Sequence, residues 1–275
     1  MTIALERPVS THAQSLARGI HSEWIKVRTL RSTWIGLATV VVIMIGFGAL
    51  AAAMATGSVT DPGGDGGPPF AGAGPLGTAL SGANLAVLLV GVLGSLAGAR
   101  EYGSRMITAT VTTMPRRWQV IVAKSAALAA VMIPTAVIAV MGAYGVAMGI
   151  LGANGNATVA LTDDGVLSSL LGMVGYLVAV AVLGLCLGSL LRSVAGSIGT
   201  VVGGLLIVPA LASALLPDSW DKVLQLLPSS AAASFTEVGM AGGSTLSAGA
   251  GAAVLIGWVV ALMAGAVVAI HRRDV

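Results

Sequence analysis

The stretch "VLSSLLGMVGYLVAVAVLGLCLGSLLRSVAGSIGTVVGGLLIVPALASALL", Val166 to Leu216, holds a single charged residue, Arg192. A helix needs about 20 apolar residues to cross the roughly 30 Å hydrocarbon core of a bilayer. The stretch therefore contains two crossings, Val166 to Leu191 and Val194 to Leu216, joined by "RSVAG". Backbone polar groups in lipid must be satisfied within the crossing segment, so these are helices. A barrel would show shorter, alternating segments. The short connection makes the two helices antiparallel neighbours.

Working outward, apolar runs of the same kind recur from Trp34 to Ala55, Ala79 to Ala99, Val120 to Ile150 and Gly249 to Ile270, giving six spans. The third is longer than a bilayer requires, so it tilts or projects a turn or two beyond the membrane, and Lys124 reaches the interface by snorkelling. Composition agrees: of 275 residues, 56% are hydrophobic and 9% charged, against about 25% charged in a soluble domain, and mean hydropathy is +0.95. No separate soluble domain has room. The segment before the first span carries Glu6, Arg7, Arg18 and Glu23 and lacks an early apolar run, so it does not resemble a cleavable signal peptide.

Charge placement sets the orientation. With the N-terminus in the cytoplasm, 13 of the 14 basic residues fall on the cytoplasmic side and only Lys222 falls outside, as the positive-inside rule demands. The expected location is a plasma membrane, multi-pass, with both termini cytoplasmic. The calculated pI of 9.4 then reflects topology, and no nucleic-acid partner is expected. Small residues four apart allow close helix approach in lipid: Gly94 and Gly98, Gly145 and Gly149, Gly184 and Gly188, Gly199 and Gly203, and the triplet Gly257, Ala261, Gly265. These serve sliding or dimerising faces, or ordinary packing within the chain.

Three segments outside the spans carry information. From Leu16, the residues Ile20, Trp24, Val27, Leu30 and Trp34 share one helical face and Arg18, Ser22, Lys26 and Thr29 the opposite one. This reads as an interfacial helix with its cations, Arg28 and Arg31 included, close to anionic headgroups. After the fifth span, Trp220, Val223, Leu224 and Leu227 fall at helical spacing up to Pro228, too short to cross, and read as an amphipathic or re-entrant cap that continues to Phe235. Between spans two and three lies "EYGSRMITATVTTMPRRWQVIVAK", Glu101 to Lys124. Topology alone needs a few cations, and this segment offers mixed chemistry over about 20 residues.

Catalytic chemistry is missing from the sequence. There is no phosphate-binding G-x-x-x-x-G-K-[ST] pattern, and His12, His21 and His271 stand apart. The lone Cys186 sits within an apolar run and reads as a packed thiol. Catalytic, cofactor-binding and metal sites are therefore expected to be absent, and the chain is not expected to be an enzyme. The spans also lack ionisable residues away from their ends, which ion-coupled transporters usually place at mid-membrane. Asn84 is the most polar candidate. Any uphill movement would draw its energy from another subunit.

"SEWIKVRTLRSTW" before span one, "REYGSRMITATVTTMPRRWQVIVAK" between spans two and three, the six spans and the short excursion before span six together resemble the bacterial ABC-2 type transporter permeases over essentially the whole chain. The resemblance implies an all-α integral membrane fold. It has six transmembrane helices, an N-terminal cytoplasmic interfacial helix (Leu16 to Arg31), a cytoplasmic coupling helix between spans 2 and 3 (Glu101 to Thr113) and short external re-entrant helices before span 6. It divides the chain into a tail and interfacial helix (1–33), a permease domain (34–270) and a C-terminal tail (271–275).

By the same resemblance the chain is the membrane subunit of an ATP-binding cassette transporter, an exporter. It pairs with a second permease copy or a homologous permease and docks cytoplasmic ATPase subunits that carry ATP and Mg. Glu101, Tyr102, Gly103, Arg105, Met106 and Ile107 would receive the ATPase's motion. Trp24, Lys26, Arg28 and Arg31 would belong to the interfacial helix, and Trp220, Leu224, Leu227 and Phe235 to the external cap. The rival reading is a non-transporting anchor or assembly subunit for a cytoplasmic partner. No substrate is indicated.

Overall fold

The computed structural model describes residues 16–59, 74–103, 118–236 and 246–272. Among the described residues the chain is helical and no strand occurs. Helix α1 (Leu16–Thr29) ends at Leu30, whose extended backbone (φ −79°, ψ 108°) separates it from α2 (Arg31–Ala55). Short α3 (Gly74–Ala79) precedes α4 (Ala83–Gly103), and α5 (Trp118–Ala153) and α6 (Val166–Leu191) follow. A fifth long element comprises α7 (Val194–Val202) and α8 (Val208–Leu215), joined by a widened π turn over Gly203–Ile207. Then come a single 3-10 turn (Asp218–Trp220), α9 (Asp221–Leu224), α10 (Pro228–Thr236) and α11 (Ala248–Arg272).

Six of these are long and apolar enough to cross a membrane: Arg31–Ala55, Ala83–Arg100, Trp118–Ala153, Val166–Leu191, Val194–Leu215 and Ala248–Arg272. This makes the chain a candidate multi-pass membrane protein. The expected boundaries hold within a few residues except at the second span. There Ala79 belongs to α3, and a turn through Ser81 and Gly82 separates it from α4. The turn is held because the Ser81 hydroxyl donates to the Phe47 carbonyl at 3.0 Å, and a Cβ on Gly82 would lie 2.9 Å from the Ile43 carbonyl oxygen. Hydropathy could not find this break, since both sides of it are apolar.

The core is built on α6, the most buried of the six, whereas the Val194–Leu215 element is the least buried. Around α6 stand α4, α5 and α11, and α2 packs on α5. The tightest seam is between α4 and α6. A Cβ placed on Gly94 would collide with the Ala181 carbonyl, one on Gly98 with the Leu185 carbonyl, and one on Gly184 with the Gly91 carbonyl. On Gly188 it would lie 2.5 Å from the Ser95 carbonyl oxygen. Two of the expected glycine pairs are thus each other's partners, and the backbones approach to a distance only glycine permits. Gly145, Gly149, Gly199, Gly203 and Gly257 meet nothing within 4 Å. The packing reading holds for two pairs only.

The π turn has a local cause. Pro209 has no N–H to continue the regular ladder, and the Val208 N–H reaches back to the Gly203 carbonyl, adding one residue to the turn. This element touches the bundle through buried Ser197 and Val201, and Val201 fills the space beside Gly91.

Candidate functional site

At the end of the bundle that carries α1, four helices converge: α1, α2, α4 and α5. Helix α1 lies against α5, and the residues it buries are Gly19 and Glu23. Gly19 and Glu23 lie one turn apart on the same side of the helix, which brings Glu23 inside. Its carboxylate accepts from Lys124 Nζ at 3.0 Å and from Lys26 Nζ at 2.6 Å. The Glu23 and Lys124 side chains are 4% and 9% exposed. Burying such ions costs several kcal/mol each unless they are paired, and two ammonium groups on one carboxylate meet that requirement.

This revises two expectations. Lys124 lies in the second turn of a 36-residue helix and points to Glu23, not along a snorkelling path. Lys26, placed on the polar face of α1, is half-buried in the same cluster. Trp24, Leu30 and Trp34, of the expected apolar face, are 37%, 48% and 53% exposed. Arg28 and Arg31 are exposed. The Arg28 carbonyl accepts from the Trp34 indole N–H at 2.9 Å, closing the corner between α1 and α2. Arg31 opens α2 and is not the last residue of α1.

Beside the ion cluster is a cavity of about 180 Å³ between α1, α2, α4 and α5. Leu37, Leu93, Leu96, Leu128 and Met132 form its aliphatic walls, and Glu23, Lys26, Arg100 and Lys124 its charged part. Arg100 donates to the Ser32 hydroxyl at 3.4 Å, linking α4 to the start of α2.

Of the segment expected to receive a partner, Glu101, Tyr102 and Gly103 form the last residues of α4. Arg105, Met106 and Ile107, and the rest of the expected coupling helix to Thr113, lie outside the described residues. Tyr102 has a definite partner: the Arg192 guanidinium carbon stands 5.0 Å from its ring centroid, within cation–π range. Arg192 is in the left-handed region (φ 52°) and ends α6, its N–H bonded to the Gly188 carbonyl. Ser193 then caps α7, its hydroxyl accepting from the Gly196 N–H at 3.2 Å. The last turn of α4 is thereby fastened to the corner between the fourth and fifth long helices.

At the opposite end, the segment before α11 consists of two short helices. Pro228 ends the first run, as expected, but is also the first residue of α10. Trp220 and Val223 are 49% and 54% exposed, and Leu224 and Leu227 are half-buried. The buried part is α10, through Ala231, Ala232 and Thr236. It is wedged between two glycines: a Cβ on Gly172 would lie 2.7 Å from Phe235, and one on Gly251 would collide with Ser234. The Trp258 indole N–H donates to the Leu226 carbonyl at 2.8 Å. Phe235 therefore packs against the core, whereas Trp220 is exposed.

Among the described residues no group of three or more His, Cys, Asp or Glu could hold a metal ion. Nor does any Asp or Glu lie within the six candidate spans. Asn84 is exposed. No protein-family model matches the chain, and a search of curated proteins finds no match.

Proposed function

We propose that this chain is the membrane-spanning permease subunit of an ATP-driven exporter of the ABC-2 type, worked by a separate cytoplasmic ATPase. The observation that carries the reading is the linkage at one end of the bundle. Helix α1 is fastened to α5 by Glu23 and Lys124, and the last turn of α4 is fastened to the α6–α7 corner by Tyr102 and Arg192. Displacement of α1, or of the segment that follows Gly103, is thereby delivered to the second, third, fourth and fifth spans together. Rigid elements with few, specific links transmit motion in this way.

The absence of Asp and Glu from the candidate spans supports an energy source outside the membrane. In this reading the α1 end faces the cytoplasm, α10 and Phe235 close the outer end, and a second permease copy or homologue completes the pathway. The test is co-expression with a neighbouring nucleotide-binding protein, followed by solubilisation and co-purification. An associated ATPase whose hydrolysis rises in the presence of the permease is the expected result. Association without any change in hydrolysis supports an anchor, and no association removes the proposal.

A further inference from the structure

The fifth long element changes character at its middle. Its first half, α7, is fixed to the bundle: it lies against α4 and α6 and buries Ser197 and Val201. Leu205, in the π turn, still packs against the core. Beyond it the support ends. Neither the π turn nor α8 contains a buried residue, and the principal neighbours of α8 are the turn itself and the short α9 that follows. Ile207, Val208, Leu211 and Leu215 are all exposed.

The backbone is weakest at the same place. Ile207 caps α8, so its carbonyl takes the first bond of that helix's regular ladder, from the N–H of Leu211 four residues on. The Val208 N–H goes back to the Gly203 carbonyl, and Pro209 has no N–H. Ala210 is then the one amide left for the carbonyls of Gly204, Leu205 and Leu206, so two of these three lack a helical donor. Inside a bilayer no water replaces such bonds, and their loss removes what holds the two halves in line. Nor is the turn wedged by packing, since a Cβ on Gly203 or Gly204 would meet nothing within 4 Å. A proline alone does not produce this. Pro134 stands inside α5, which is continuous from Trp118 to Ala153 and buries Met132 before the proline and Ala136 after it.

We propose that the π turn Gly203–Ile207 is a joint at which α8 swings while α7 stays fixed to α4 and α6. Sharp bends gather at π turns and prolines, and a hinge needs only a few residues to absorb the change. The swing belongs to the end of the bundle that holds α10, because α8 continues through α9 into α10 and α10 also touches the π turn. The joint is argued from packing and backbone alone and does not rest on the transport reading.

Distances between pairs of spin labels, measured by pulsed electron paramagnetic resonance on the full chain in lipid nanodiscs, test it. In a Cys186→Ala background, Leu171→Cys on α6 is paired either with Thr200→Cys in α7 or with Leu215→Cys at the end of α8, all three being exposed positions. From Ile207 to Leu215 the lever is about 12 Å at roughly 1.5 Å per residue, so a bend of about 20° moves its tip by about 4 Å. The Leu215 distribution is expected to be broader than the Thr200 distribution by that amount. Pro209→Ala returns the missing amide, and Gly203→Ala combined with Gly204→Ala stiffens the turn. Each should narrow the Leu215 distribution and leave the Thr200 distribution unchanged, whereas fraying of the helix end would respond to neither. Distributions of equal width, or a Leu215 width that both variants leave unchanged, overturn the joint.

Discussion

Glu23 and Lys124 are 101 residues apart in sequence and 3.0 Å apart in the fold, and their ion pair fastens α1 to the longest helix of the bundle. Both side chains are buried, and Lys26 shares the same carboxylate at 2.6 Å, so loss of Glu23 takes the carboxylate from two ammonium groups at once.

Glu23→Gln should therefore destabilise the protein by about 3 kcal/mol, the scale for breaking a buried pair, and Lys124→Gln should cost less because Lys26 still meets the Glu23 carboxylate. The double substitution should cost less than the sum of the two. Thermal unfolding in detergent, followed by intrinsic fluorescence, checks the cycle, and strict additivity would contradict the pairing.

The α4–α6 seam separates glycines that are needed from glycines that are not. Gly188→Ala and Gly184→Ala place a methyl on backbone of the opposite helix and should cost about 1–3 kcal/mol. Gly199→Ala and Gly257→Ala meet open space and should be neutral or raise stability, by up to about 1 kcal/mol from helix propensity. Ser95 is fully buried at the same seam, its hydroxyl without a hydrogen-bond partner among the described residues. Ser95→Ala should therefore be tolerated or stabilising. Melting temperatures of the five variants give the answer.

Tyr102 meets Arg192 through its ring, so Tyr102→Leu should lose about 0.5–1 kcal/mol more than Tyr102→Phe, which keeps the ring. Arg192→Gly relieves the left-handed backbone but discards the guanidinium, and its effect should be smaller than that of Arg192→Val, which loses both. An order in which Phe and Leu at position 102 are equivalent would count against the cation–π contact.

Orientation is open to direct measurement. Ser22, in α1, and Ser219, beyond five candidate spans, are both exposed, while native Cys186 is fully buried. With an impermeant maleimide on intact cells, Ser219→Cys should label and Ser22→Cys should label only after the membrane is opened. The reverse pattern would invert the proposed topology.

Under the proposed function, Met106→Asp, or replacement of Glu101 or Arg105, should uncouple hydrolysis by the associated ATPase from transport while membrane insertion is unchanged. Hydrolysis and transport measured together in vesicles decide this, and preserved coupling would move the docking site elsewhere.

The sequence by itself determined the six candidate crossings and the placement of nearly all cations at one set of ends. Run length against bilayer thickness is a one-dimensional property, and so is the spacing of charges. Tertiary structure alone decided which small residues matter: Gly94, Gly98, Gly184 and Gly188 sit in one seam, whereas Gly199, Gly203 and Gly257 have the same spacing and no partner. It likewise set Glu23 against Lys124, Tyr102 against Arg192, and α10 between Gly172 and Gly251 in place of the more conspicuous Trp220. In a chain apolar on nearly every face, periodicity does not say which face meets which. That choice is made by close approach of backbones and by the need of each buried charge for a partner far away in sequence.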